Sequence, residues 1–302
     1  MDQTPFGKTG LMVTRLGIGA SEIGDYSLSG DDVEMAGRVL NSALDGGINF
    51  LDTGSCYRNS EELIGLTVSS RRDDYVLATK CGHVRGRWTG EDWSAETVAK
   101  SIEQSLVHMK TDHLDLVQIH SCDVSVLERG EVTEALLKAK DAGKTRLVGY
   151  SGDKEAARYA VESGLFDTLQ TSFNVVDQGA STDGLLALAA EKGMGVIIKR
   201  PIANGAWGAE GSPTSEYGAE YFRRAKTMAA LGPMPGAPED RILAALGFVF
   251  AHPEVDTAIV GTQNPAHMAS NIEMMEKGVG VPSEMVDEFH RRYDELRESW
   301  TS

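Results

Sequence analysis

The sequence predicts a (β/α)8 barrel, an α/β fold running as one domain over residues 1–302. Three observations lead there. Eight short apolar runs alternate with longer amphipathic segments along the chain. Most of those runs are continuously hydrophobic, as parallel strands buried on both faces require. The first run continues as LGIGASEIG, where Gly17 and Gly19 are followed by Glu22 at the third glycine position of a G-x-G-x-x-G loop. That failure disfavours the open, doubly wound dinucleotide-binding sheet.

The elements follow in order. Residues 6–13 hold Lys8-Thr9-Gly10 between apolar residues and predict a small hairpin covering one barrel end. The strands are expected at 16–19, 49–52, 75–80, 114–120, 147–151, 168–172, 195–199 and 257–261. A helix over 31–45 is read from Val33, Ala36, Leu40 and Leu44, with Asp31 as its cap and Gly46-Gly47 as its stop. A helix over 94–110 places Val98, Ile102, Leu106 and Met109 behind a Ser94 cap. Further helices are expected at 132–140, 155–162 and 182–192, ended by Gly143, Gly164 and Gly193. The segment 203–239 is rich in Gly, Ala and Pro and reads as a long loop over the face where barrel sites lie.

Composition narrows the partners. A net charge of −16 over 302 residues argues against nucleic acid and against an anionic membrane surface. The longest apolar stretch, 242–251, is too short to span a bilayer. The start, MDQTPFGKTG, lacks the apolar core of a signal peptide. Cys56, Cys81 and Cys122 form no C-x-x-C pair and leave one unmatched, so a reducing cytoplasm is expected. Their positions beside strand ends suit packing by small residues better than redox sensitivity. No histidine stands at metal-ligand spacing, and no metal site is expected.

Polar residues collect where apolar runs stop. Asp52 ends NFLD, Tyr57 lies just beyond it, Lys80 ends VLATK and His120 ends LVQIH. In a barrel these tips converge on one face. A phenol with a pKa near 10 is a poor acid at neutral pH, and a neighbouring ammonium favours the phenolate. A carboxylate keeps that ammonium charged and placed, and an imidazole can hydrogen-bond a carbonyl oxygen. The set suits protonation of a carbonyl oxygen as hydride reaches its carbon. Singly, each residue fits a surface or packing role; the joint occurrence carries the argument.

The segments GINFLDTGSCYRNSEELIG, YVLATK, TDHLDLVQIH, GKTRLVGYSG, FDTLQTSFNVVDQ, GVIIKRPIANG and AIVGTQNPAHMASN resemble the aldo-keto reductases over nearly the whole chain. The resemblance implies a barrel that binds NADPH or NADH without a Rossmann domain and reversibly reduces an aldehyde or ketone. It implies Tyr57 as acid or base, Lys80 lowering its pKa, Asp52 holding Lys80 and His120 orienting the carbonyl. It also implies cofactor contacts from Gly19, Ala20, Ser21 and Asp52. Ser151, Gly152 and Gln170 lie toward the nicotinamide amide, though the family often has Asn at the place of Gly152. Lys199 stands where the family stacks an aromatic ring, and Arg200 where it often has Ser. Pro201, Ile202, Ala203 and Gly205 match the loop along the pyrophosphate. Either Lys199 or Arg200 contacts a pyrophosphate or an anionic substrate group, or both are solvated or salt-bridged to acidic neighbours.

At the adenosine end, the resemblance puts Gly261, Thr262, Gln263 and His267 where the family typically carries Lys or Arg for a 2′-phosphate, with His267 alone able to carry charge, and Asn271 at a residue that reads the adenine edge. Family habit leans to NADP(H), with NAD(H) open. Trp88 and Trp207 are expected as walls of a substrate pocket, with Trp93 in a loop over the same face. The expected partner is a small carbonyl or alcohol. The alternatives are an NAD-dependent sugar or alcohol dehydrogenase on the same fold and a cofactor-binding regulatory barrel without significant turnover.

Overall fold

Strand register closes the sheet on itself. The computed structural model describes residues 1–84, 88–212 and 216–300, with the side chain of Glu216 excepted. An antiparallel pair, β1 (Gln3–Pro5) and β2 (Met12–Thr14), precedes the barrel. The barrel strands are β3 (Leu16–Gly19), β4 (Phe50–Asp52), β5 (Val76–Cys81), β6 (Leu114–His120), β7 (Thr145–Ser151), β8 (Thr168–Ser172), β9 (Gly195–Lys199) and β10 (Thr257–Gly261). Neighbours run parallel in sequence order, and β10 closes the ring by pairing with β3. All eight strands fall where the sequence places them, within two residues at each end.

The register sets up the site. Gly261 pairs with Gly19, Gly19 with Asp52, His120 with Ser151, Ser151 with Gln170, and Ser172 with Lys199. The polar residues are therefore one row around the carboxyl rim, not eight independent strand ends.

Two apolar layers support that row. Phe6 and Val13 from the hairpin plug the amino end against Phe50, Val76, Ala78, Leu116, Leu147 and Ile197. Phe6 meets Phe50 edge-on with ring centres 5.7 Å apart. Gly195 permits this plug, since a Cβ there would sit 2.5 Å from the Phe6 ring. The outer layer packs the helices on the barrel, and all of the longer strands are buried along nearly their whole length. No described helix is long and apolar enough to cross a membrane.

Three local expectations change. Asp31 does not cap its helix, Asp31–Asp45; Gly30 does, and Asp31, Asp32 and Glu34 lie in the first turn, where they favour the helix dipole. The helix expected over 182–192 is broken. Gly179–Thr182 and Leu185–Glu191 are separate, because Gly184 turns left-handed at φ 71° between them. The segment 203–239 is not all loop. It carries the helix Glu216–Ala229, which buries Tyr221, Ala225 and Met228 at helical spacing. Ser94 caps Ala95–His108 as expected, accepting from the Thr97 amide. Helices Arg241–Phe250, Pro265–Lys277 and Ser283–Trp300 complete the ring.

Asp256 ties the plug to the barrel. One carboxylate oxygen accepts the Val196 amide at 2.8 Å and the Gly7 amide at 3.1 Å. Burial pushes its pKa up to about 6, against the pull of those two amides and Arg15. The folded value lies above the unfolded one, so this group's contribution is full below pH about 4 and is lost as pH rises through about 6. The melting temperature of Asp256→Asn relative to wild type is expected to climb between pH 4 and pH 7. A pH-independent difference in thermal scans would contradict this account.

Candidate active site

The rim of the barrel assembles around one carboxylate. Asp52 and Lys80 are both 2% exposed, and Lys80 Nζ donates to Asp52 Oδ2 at 2.5 Å and to the Thr53 carbonyl at 2.8 Å. The second oxygen, Asp52 Oδ1, accepts Gln170 Nε2 at 2.9 Å and Gln118 Nε2 at 3.3 Å. Ser151 donates in turn to Gln170 Oε1 at 2.8 Å. A buried ion pair is tolerable only when such bonds replace water on both partners. Gln118 was not among the expected site residues, although a lone glutamine within the apolar run LDLVQIH is a readable signal.

Tyr57 projects from the turn after β4, and Lys80 Nζ lies 4.8 Å from its ring centre. Burial opposes charge on Lys80 most strongly, yet Asp52 and Tyr57 together hold its pKa above the ordinary value. The phenol departs from expectation. Burial raises the Tyr57 pKa by more than Lys80 lowers it, so the net shift is upward. His120 meets the Tyr57 ring edge-on with centres 5.7 Å apart, and its Nδ1 lies 3.3 Å from Cys56 Sγ. The four expected residues are thus brought together.

A cavity of about 830 Å3 opens from Asp52 and Tyr57 and runs past β9 and β10. Of the expected cofactor residues, Gly19, Ser21, Asp52, Gln170, Lys199, Arg200, Pro201, Ile202, Gly205, Gly261, Thr262, His267 and Asn271 line it. Ala20 and Ala203 are buried beside it. Ser151 is spent on Gln170, and Gln263 straps two loops, its amide donating to the Glu22 carbonyl at 2.7 Å. Gly152 has no room for a side chain. Its Cβ would lie 2.6 Å from the Tyr150 ring, whose hydroxyl donates to the Cys122 carbonyl. Tyr150 therefore explains why asparagine is absent there.

Among the cavity residues that escaped the sequence reading, three carry a charge or an aromatic ring. Arg241 reaches from its helix to the Gly205 and Trp207 carbonyls. Tyr217 lies under the Arg200 guanidinium, 3.9 Å from ring centre to carbon. Glu22 occupies the space a side chain at 261 would fill, with Oε2 1.8 Å from a Cβ built on Gly261.

The cations after β9 are paired. Lys199 Nζ lies 3.0 Å from Asp153 Oδ2, and Arg200 donates to Ser172 Oγ at 2.6 Å with Asp153 at 3.9 Å. Burial and Arg200 hold the Lys199 pKa below its ordinary value, against Asp153. Burial would raise Asp153, but Lys199 and the Ser172 amide keep it low. Both cations thus face Asp153 and also line the cavity.

Of the tryptophans, Trp207 is half-buried and packs edge-on against Phe289 with centres 4.9 Å apart. Trp88 turns its indole toward Gly90, and its Nε1 is buried without a partner among the described residues. Trp93 is the indole beside the tetrad, donating from Nε1 to the His120 carbonyl at 2.9 Å. Burial pushes the Cys122 thiol up to about 12 and the Cys81 thiol higher still, which disfavours reactive thiolates at both. No group of three or more metal-ligating side chains occurs among the described residues.

A parallel barrel with a buried carboxylate–ammonium pair under a tyrosine, at the mouth of a long cleft, defines a class of carbonyl oxidoreductases. The chain matches the Aldo/keto reductase family over residues 15–291 and belongs to that family. It is 29% identical over 296 residues to L-galactose dehydrogenase of Arabidopsis thaliana, covering 93% of this chain and 91% of that one. It is 28% identical over 284 residues to 6-dehydroglucose reductase of Novosphingobium aromaticivorans, covering 89% of each. An aldo-keto reductase of Bacillus halodurans, solved in its holo form, has the same fold, with a TM-score of 0.80 at 24% identity over 97% of this chain and 96% of that one.

Removing the ammonium isolates a buried charge. Lys80→Met is expected to destabilise the protein by about 3–5 kcal/mol, because Asp52 keeps its burial and loses its counter-ion. Urea unfolding measures this, and a loss under 1 kcal/mol would refute it.

Proposed function

We propose that this protein is a nicotinamide-dependent oxidoreductase that interconverts a small aldehyde or ketone and its alcohol. The observation that carries the reading is the Asp52–Lys80 pair, held beneath Tyr57 where the cavity meets the barrel axis. The cleft fits an extended dinucleotide. Gly19 and Gly261 present bare backbone on paired strands at its wall, Pro201 and Ile202 give apolar surface, and Asn271 offers a buried amide at the far end. When bound, the nicotinamide supplies hydride to the substrate carbon or accepts it.

The chain's own residues handle the proton. Tyr57 donates from its hydroxyl to the carbonyl oxygen during reduction and takes that proton back during oxidation. The raised pKa keeps the phenol loaded at neutral pH. Lys80 stabilises the phenolate that remains, Asp52 holds Lys80 charged and in place, and His120 orients the carbonyl oxygen. One relative named a dehydrogenase and one named a reductase fit a reaction that runs both ways.

For the cofactor, the cleft supports NAD(H) over the NADP(H) that family habit suggested. The stretch matched to a phosphate-gripping cation begins at Gly261, and the Glu22 carboxylate fills the space beside that glycine. A carboxylate can accept from a ribose 2′-hydroxyl and repels a 2′-phosphate.

Tyr57→Phe is expected to lower kcat for carbonyl reduction by at least about 100-fold while dinucleotide binding persists. In wild type the reduction rate should hold level through neutral pH and fall only in the alkaline range. Tight cofactor binding with no turnover across a broad carbonyl panel would instead make the barrel a cofactor-binding regulatory protein. For cofactor choice, fluorescence titration should give a lower Kd for NADH than for NADPH. Glu22→Lys should shift that ratio toward NADPH by about tenfold at low salt. A wild-type preference for NADPH would overturn the assignment.

A further inference from the structure

The loop after β5 carries an imidazole that the tetrad leaves unused. The His83 side chain is only 10% exposed, and its Nδ1 lies 3.2 Å from Asp92 Oδ2. The other carboxylate oxygen accepts the Val84 amide at 2.7 Å. A carboxylate only accepts, so the tautomer that fits has its proton on Nδ1 and Nε2 as acceptor. Among the described residues, none meets that Nε2.

The ring is fixed from two sides. It stands edge-on to His120, with centres 5.0 Å apart at 81°, and lies 4.8 Å from the Trp93 indole. Trp93 is itself pinned at both nitrogens, its amide donating to the Gly82 carbonyl at 2.6 Å and its indole to the His120 carbonyl. His83, His120 and Tyr57 therefore form one chain of edge-on rings beside the reacting position.

Loop closure does not need His83. Asp92 already holds the Val84 amide, and Trp93 holds Gly82. Nε2 has no donor among the described residues and is not sealed from solvent, so a ligand beside His120 can reach it. The available partner is a hydroxyl near the carbonyl that His120 faces.

We propose that His83 is a specificity-determining residue that accepts a hydrogen bond from a substrate hydroxyl on the carbon next to the carbonyl. The substrates are then hydroxy-aldehydes or hydroxy-ketones, and vicinal diols in the oxidative direction. This rests on the oxidoreductase reading above. A site built to hold a hydroxyl rejects the analogue lacking it more strongly than an apolar pocket separates a missing methylene.

The test compares 2-hydroxypropanal with propanal, which differ by that hydroxyl alone. The ratio of their kcat/KM values is measured in wild type, His83→Phe and His83→Gln, with cofactor fluorescence as a check on the folded site. Wild type should prefer the hydroxy-aldehyde. The ratio should fall about tenfold in His83→Phe, chiefly through KM, and recover in part in His83→Gln. An unchanged ratio in His83→Phe overturns the proposal. Should that variant fail to fold, equal kcat/KM values in wild type overturn it. If wild type reduces neither aldehyde, the oxidoreductase reading falls and this inference with it. Turnover of both without preference removes only the role of His83.

Discussion

The buried pair of Asp52 and Lys80 is the contact on which the rest of this site depends. Two charges at 2% exposure sit among buried polar groups inside the barrel. Such a pair brings little net stability against a well-packed apolar substitute, because desolvation consumes most of the attraction. It is viable here because both charged groups are hydrogen-bonded on each side. Lys80 also donates to the Thr53 carbonyl, and the free oxygen of Asp52 accepts two glutamine amides. Those glutamines come from β6 and β8, so one carboxylate links four of the eight strands.

That linkage explains why the rim is rigid while the walls of the cleft are not built the same way. Around Asp52 the partners are side chains on paired strands. Beyond β9 the cleft is bounded by backbone in left-handed conformations at Arg200, Ala203 and Asn204, and by bonds reaching across from helices, such as Arg241 to the Gly205 carbonyl. Proton chemistry needs fixed distances, which the strands supply. A ligand that must enter and leave needs a boundary made of fewer, longer-range contacts.

The charge of the chain and the charge of the cleft are separate matters. The net charge is −16, yet Lys80, Lys199, Arg200 and Arg241 all face the cavity or its floor. Much of that positive charge is locally matched, by Asp52 and by Asp153. The cleft therefore offers a dinucleotide more oriented donors than free cations. At its far end the sign turns negative at Glu22.

Much of this was legible in the chain alone. The eight strands are marked by continuous apolar runs, which any residue order with buried parallel strands must show, and the polar group ending each run stands out against them. Asp52, Tyr57, Lys80 and His120 are visible for that reason. Features that depend on two distant segments meeting were not visible. Glu22 fills the space beside Gly261, Tyr150 excludes a side chain at Gly152, and Phe289 meets the half-buried Trp207 edge-on. The helix Glu216–Ala229 was hidden by its Gly- and Pro-rich flanks, since its apolar face has meaning only against the barrel it covers. The net rise of the Tyr57 pKa belongs to the same class. The sequence by itself determined which groups could meet, because strand periodicity is local. Only the tertiary structure decided how deeply they are buried, because burial is a property of everything packed around them, and burial outweighed the charge of Lys80.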